Sequence, residues 1–152
     1  MKIKKIDSVE EKQKICQEIV DQLPNWFDEQ GRRDYVAGVG GTAVWANYID
    51  EKLTGFISIK SNNDFTFEIY VFGVLDKYQR NGIGSELLNT ACDYARTSGA
   101  KLLAVKTLDA AANYESYDRT RNFYLKNGFL PIDVYTKIWN EENPCLLMVK
   151  VL

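Results

Sequence analysis

Three features of the sequence carry residue types that could do chemistry. The first is a glycine-bearing run, Gln79-Arg80-Asn81-Gly82-Ile83-Gly84, which closes a long apolar strand and opens a helix. Glycines there let a backbone approach a ligand closely, and the N–H groups of the first helical turn have no partner within the helix. Together with the helix dipole they suit a phosphate. An ordinary strand-to-helix turn would show the same letters. The run is not a Walker A loop, because no Gly-Lys-Ser/Thr follows, so a nucleotide-phosphate binder is a weak reading. The second feature is Glu68, a carboxylate set between Phe67 and Ile69. Burial would raise its pKa toward that of a useful base; a structural Glu held by hydrogen bonds is the alternative. The third is Tyr124, in Asn122-Phe123-Tyr124-Leu125, either a neutral proton donor or one more packed aromatic.

What the chain lacks narrows the field further. It has no histidine, which removes Ser-His-Asp and Cys-His nucleophiles and every metal site that needs imidazole. No metal is expected. Cys16, Cys92 and Cys145 are odd in number and form no Cys-x-x-Cys, so free thiols in a reducing compartment are expected. Cys145 has no histidine to activate it as an acyl carrier. The formal charge is -2, from 19 basic and 21 acidic residues, which gives no reason to expect nucleic acid or an anionic membrane as partner. No signal-like or membrane-length apolar stretch appears, and a cytoplasmic protein is expected.

These groups need a scaffold. A chain of 152 residues without repeats or linkers is expected to form a single domain, 1–152. Lys2–Ile6 reads as a strand. Ser8 and Glu11 form a capping box, and the helix they start ends at Pro24. A short helix is expected over Trp26–Arg33. Thr42–Ile49 and Lys52–Lys60 read as a hairpin turning at Asp50-Glu51, and Phe65–Leu75 as a central strand. Gly82–Ser98 is the clearest helix, followed by a strand over Lys101–Thr107, a helix over Asp118–Asn127, and strands over Phe129–Trp139 and Cys145–Leu152. This order predicts an α/β fold: a mixed, mostly antiparallel sheet of about seven strands with helices on both faces. Gly38-Val39-Gly40-Gly41-Thr42-Ala43 matches a dinucleotide fingerprint by letter, but it runs into a strand, so a flexible connector is expected.

The run Gln79–Gly84 resembles the signature Gln/Arg-x-x-Gly-x-Gly/Ala of the GNAT superfamily of acyl-CoA N-acyltransferases. Phe123-Tyr124-Leu125-Lys126-Asn127-Gly128-Phe129 resembles that family's second segment, and the elements between them fall in the family's order. The resemblance implies that the fourth and fifth strands splay apart around acetyl-CoA. Pyrophosphate would lie on backbone N–H groups from Arg80 to Ser85, with Gln79, Asn81, Gly82, Ile83 and Gly84 in the same loop. The pantetheine arm would pair with the freed strand edge at Phe72, Gly73 and Val74. It implies direct acetyl transfer to a primary amine through a tetrahedral intermediate, with Tyr124 as general acid and Glu68 as base. A non-catalytic acyl-CoA-binding module on the same fold is the alternative. Many relatives carry an Asn where this chain has Tyr117; Asn113 is a candidate substitute.

The acceptor is legible only in outline, as a small-molecule or peptide amine. Asp28-Glu29 and Glu141-Glu142, alongside Trp26, Tyr35 and Trp139, lean it slightly toward a cation. The apolar terminal strand Cys145–Leu152 is a candidate edge for a homodimer.

Overall fold

Runs of β-branched and aromatic residues pair into one seven-stranded sheet in the computed structural model, which describes Met1 to Leu152. The strands are β1 (Lys2–Ile6), β2 (Ala43–Ile49), β3 (Lys52–Ser61), β4 (Thr66–Val74), β5 (Leu102–Leu108), β6 (Leu130–Asn140) and β7 (Asn143–Val151). The helices are α1 (Val9–Val20), α2 (Glu29–Gly38), α3 (Ile83–Thr97) and α4 (Glu115–Lys126). The sheet order is β1-β2-β3-β4-β5-β7-β6. Only β4 and β5 run parallel; the α3 crossover between them requires it. No helix is long and apolar enough to cross a membrane.

The sheet separates two apolar clusters. On one face Ile83, Leu87, Leu88, Ala91, Cys92 and Ala95 of α3 meet Ile57, Ile69, Leu103 and Val105, with Tyr124 of α4 beside them. On the other, Ile15, Cys16, Ile19 and Val20 of α1 meet Val44, Ala46, Phe56 and Val71. Each Ile, Leu, Val or Phe side chain so buried contributes about 1.5–3 kcal/mol relative to exposure, before ordering entropy is set against it.

The feature that shapes the site is the parting of β4 from β5. They pair only over Thr66–Glu68 against Leu102–Ala104, although both strands continue well beyond. The cause lies in β4. Ser58 opposes Val71 and Ile59 opposes Ile69, so Tyr70 is an extra residue in the ladder. A bulge there bends the strand and adds twist. It comes two residues after the last partner of β5. The Tyr70 side chain is wedged against α2, where its hydroxyl donates to Asp34 O at 3.3 Å. Gly38 permits this, because a Cβ there would lie 2.1 Å from that hydroxyl. Gly73 is likewise set by packing: a Cβ would lie 2.9 Å from Leu23 Cδ1 and 3.1 Å from Ile19 Cγ2 of α1. Gly73→Ala is expected to destabilise the fold by about 1–3 kcal/mol, seen as a lower urea midpoint at unchanged slope.

Three expectations are corrected. The second helix occupies Glu29–Gly38, not Trp26–Arg33, because Asp28 is its N-cap and accepts from Gly31 N–H at 2.7 Å. The Gly38–Ala43 stretch is no flexible connector: it ends α2, makes a 3-10 turn over Val39–Gly41 and buries Val39 fully. The terminal strand is no free edge, since β7 lies between β5 and β6.

Candidate active site

A cavity of about 690 Å³ opens where β4 and β5 part. A second hollow of about 540 Å³, between α1 and the β2–β3 turn, is lined by none of Glu68, Gly82 and Tyr124. The first is walled by the freed end of β4 (Phe72, Gly73, Val74), by the loop into α3, by β5 residues Val105 to Thr107 and by α4.

The loop end leaves backbone donors uncapped. Gly82 sits at the N-cap of α3 in the left-handed conformation, φ 79°, and offers no side-chain cap. Ser8 and Asp28 cap α1 and α2 with their side chains. The first N–H groups of α3 therefore keep their donor capacity. A Cβ on Gly82 would meet nothing within 4 Å, so its face is open. Arg80, φ 67°, adds a cation beside it. Gln79 holds the turn: its Nε2 donates to Val74 O at 2.9 Å and Asp76 Oδ1 at 3.2 Å. Gly84 is small for a different reason, since a Cβ would lie 3.3 Å from the Phe123 ring.

Gln79, Arg80, Gly82, Gly84, Ser85, Phe72, Gly73, Val74 and Tyr124 all line this cavity. Asn81 and Ile83 do not: Asn81 is exposed outside it and the Ile83 side chain is core. Tyr124 is 5 % exposed and its hydroxyl makes no hydrogen bond within the protein. Burial, with Tyr117 and Tyr35 nearby, pushes its phenol well above the ordinary tyrosine range. It therefore keeps its proton at the pH where amines react.

Glu68 is one side chain removed from the cavity. Its Oε1 accepts from Asn62 Nδ2 at 2.9 Å, and Lys106 Nζ lies 3.4 Å from both carboxylate oxygens. Lys106 reaches the cavity; Glu68 does not line it. The sequence reading missed Lys106, although a lysine inside Leu102-Leu103-Ala104-Val105 and Thr107 was its signal. It also missed Thr107, which lines the cavity and whose buried Oγ1 has no partner.

The other end of the cavity is aromatic, with Trp26, Phe27, Tyr35, Tyr70 and Tyr117. Tyr35 stacks edge-on against Phe27 at 5.6 Å and Tyr70 at 5.3 Å. A span joins the segment after α1 to α4. Trp26 Nε1 donates to Thr120 Oγ1 at 3.0 Å, the Tyr117 hydroxyl to Trp26 O at 2.6 Å, and Ser116 Oγ to Asn25 O at 3.0 Å. Tyr117 thus ties down a wall of the cavity, and Asn113 lies outside the lining with its amide on Ala111 O. Of the acidic residues that suggested a cationic acceptor, Asp28 caps α2, Glu29 pairs with Arg33, and Glu141 and Glu142 sit in the exposed β6–β7 turn. No Asp or Glu lines the cavity, whereas Arg80, Lys106, Arg119 and Lys126 do.

Comparison with known proteins agrees with this fold. No functionally curated protein matches the sequence. Among solved structures, an IAA acetyltransferase from Bacillus cereus is 18 % identical at TM-score 0.78, covering 99 % of both chains. The aminoglycoside 6'-N-acetyltransferase from Enterococcus faecium is 17 % identical at TM-score 0.76, covering 99 % of this chain and 97 % of that one. A GNAT family acetyltransferase from Elizabethkingia anophelis, solved with acetyl-CoA bound, is 20 % identical at TM-score 0.68, covering 88 % and 90 %. At such identities these structures establish the fold alone. The sequence pattern of the Acetyltransferase (GNAT) family matches residues 7–129, most of the chain, and the protein belongs to that family.

Proposed function

We propose that this protein is an N-acetyltransferase that moves an acetyl group from acetyl-CoA directly to a primary amine. The observation that carries the reading is the single cavity joining an uncapped helix start at Gly82 to the unbonded hydroxyl of Tyr124. Pyrophosphate takes the first N–H groups of α3, and the pantetheine arm takes the bare edge of β4. The thioester then lies by Tyr124, which donates its proton to the departing thiolate. A protonated alkyl amine has a pKa near ~10.4, so the acceptor must lose a proton before it attacks. The Lys106 ammonium works toward that end, because a like charge nearby disfavours the ammonium form of the acceptor. Glu68 takes the proton through a water. The amine attacks the thioester carbonyl, the tetrahedral intermediate collapses, and the C–S bond breaks. Coenzyme A leaves with the proton of Tyr124, and the second proton of the amine nitrogen, shed as the intermediate becomes the amide, restores the phenol.

The cavity also bears on the acceptor. Five aromatic side chains and an excess of cations suit an amine with a flat or apolar body and no second positive charge. The three thiols are buried and unpaired, with Cys16 pushed up to about 12 by burial and Asp21. Inert thiols fit the reducing cytoplasm, where we place the reaction.

The test is thiol release from acetyl-CoA against a panel of amines. Turnover with aromatic or carboxylate-bearing amines above that with polyamines is expected. Tight acetyl-CoA binding without turnover on any amine would leave a binding module instead. Glu68→Gln separates two roles. As proton acceptor, Glu68 is needed most at low pH, so the deficit should shrink as pH rises and free amine appears. A deficit flat with pH would assign Glu68 to holding Lys106.

A further inference from the structure

One polar atom beside the cavity has no partner. Thr107 is 4 % exposed, and its Oγ1 meets neither a protein group nor solvent. A buried hydroxyl without a hydrogen bond costs stability, so its presence here calls for a reason. The sheet sets where this residue stands. Side chains alternate along a strand, so Thr107 shares a face with Leu103 and Val105, which pack in the cluster that holds Tyr124. Lys106, one residue earlier, points to the opposite face and meets Glu68 there. The parting of the strands sets the depth. β4 and β5 last pair at Glu68 and Ala104. Counting on from that pair, with Tyr70 set aside as the extra residue of β4, brings Thr107 level with Phe72. Both line the cavity, as does Tyr124.

We propose that Thr107 supplies a second hydroxyl to the sulfur of coenzyme A, donating a hydrogen bond to the departing thiolate while Tyr124 gives it a proton. This rests on the acetyl-transfer reading, which lays the pantetheine arm along Phe72 and the thioester beside Tyr124. A turn of the Thr107 side chain about Cα–Cβ brings Oγ1 to the cavity, and no hydrogen bond within the protein is broken by it. A neutral thioester sulfur is a poor acceptor. The charge that builds on it as the C–S bond breaks makes it a good one. The bond from Thr107 therefore strengthens toward the transition state, where it lowers the barrier, and adds little to binding of the thioester. Thr107 keeps its own proton throughout; the transfer is made by Tyr124.

Thr107→Val tests this, because it removes the hydroxyl and keeps the shape. Two effects of opposite sign are expected. The unliganded variant should melt at or above the wild-type temperature, since an unpartnered buried hydroxyl has gone. With the best amine of the panel, its kcat should fall roughly tenfold or more, with KM for acetyl-CoA within about twofold of wild type. Thr107→Ser, which keeps the hydroxyl, should recover most of the loss. A second measurement needs no acceptor. Coenzyme A and desulfo-coenzyme A, which carries hydrogen in place of the thiol, are titrated by calorimetry at about pH 9, where thiols ionise. Thr107→Val should weaken coenzyme A by roughly fivefold or more and leave desulfo-coenzyme A unchanged. If the wild type turns over no amine, the acetyl-transfer reading falls, and this pair of ligands still decides whether Thr107 meets the sulfur. Equal losses for both ligands, an unchanged affinity for coenzyme A, or a lowered melting temperature with no rescue by serine would overturn the proposal.

Discussion

Tyr124→Phe is expected to lower turnover by roughly 10²-fold or more while leaving acetyl-CoA affinity nearly unchanged. The substitution removes one oxygen and no packing. The ring of Tyr124 lies edge-on between Phe123 at 5.5 Å and Phe129 at 5.1 Å, and Phe keeps both contacts. No intramolecular hydrogen bond is lost, because the hydroxyl makes none. Stability should therefore hold, and the loss should fall on kcat rather than KM. That split is what a proton donor acting only as the C–S bond breaks must show. Activity within threefold of wild type would place Tyr124 among the packing residues.

The second large effect concerns the donor. Acetyl-CoA at a hundredfold excess over its dissociation constant should raise the melting temperature by roughly 5–10 °C, from about 2.7 kcal/mol of linkage. Gly82→Val should abolish that increment. At φ 79° a β-branched residue is strained, and its side chain would fill the open face proposed to take phosphate. The strain lowers the melting temperature of the unliganded protein too, so the increment, not the absolute value, is the measurement. Gly84→Val is a poorer probe, because it also strikes Phe123. An increment with ATP equal to that with acetyl-CoA would refute the reading of the loop.

The elements that could be read in advance are those whose signals are local. The α3 face, the Gly82 start and the Ser8 cap each depend on residues within a few positions of one another. The order of elements followed, and with it the mixed sheet. What escaped depends on partners distant in sequence. Glu68 and Lys106 are thirty-eight residues apart and meet only through the short β4–β5 register. The Tyr70 bulge is a mismatch between two strands and leaves no mark in either. Trp26 looked like a helix residue because nothing nearby shows that Thr120 holds its indole. The glycines of the cavity were legible as positions, but which neighbour each makes room for was not. Gly82 serves backbone conformation, while Gly73 and Gly84 yield space to α1 and α4.

The bonds from Asn25 and Trp26 to Ser116, Tyr117 and Thr120 have an evolutionary consequence. They make the aromatic wall of the cavity and the helix that carries Tyr124 one mechanical body. On the proposed function, a substitution at Trp26 would tilt Tyr124 as well as reshape the pocket, so new substrate preference gained there would be accompanied by slower chemistry. Phe27 and Tyr35 line the same pocket without a hydrogen bond to α4. Those two positions are free to diversify, and divergence among close relatives should concentrate on them.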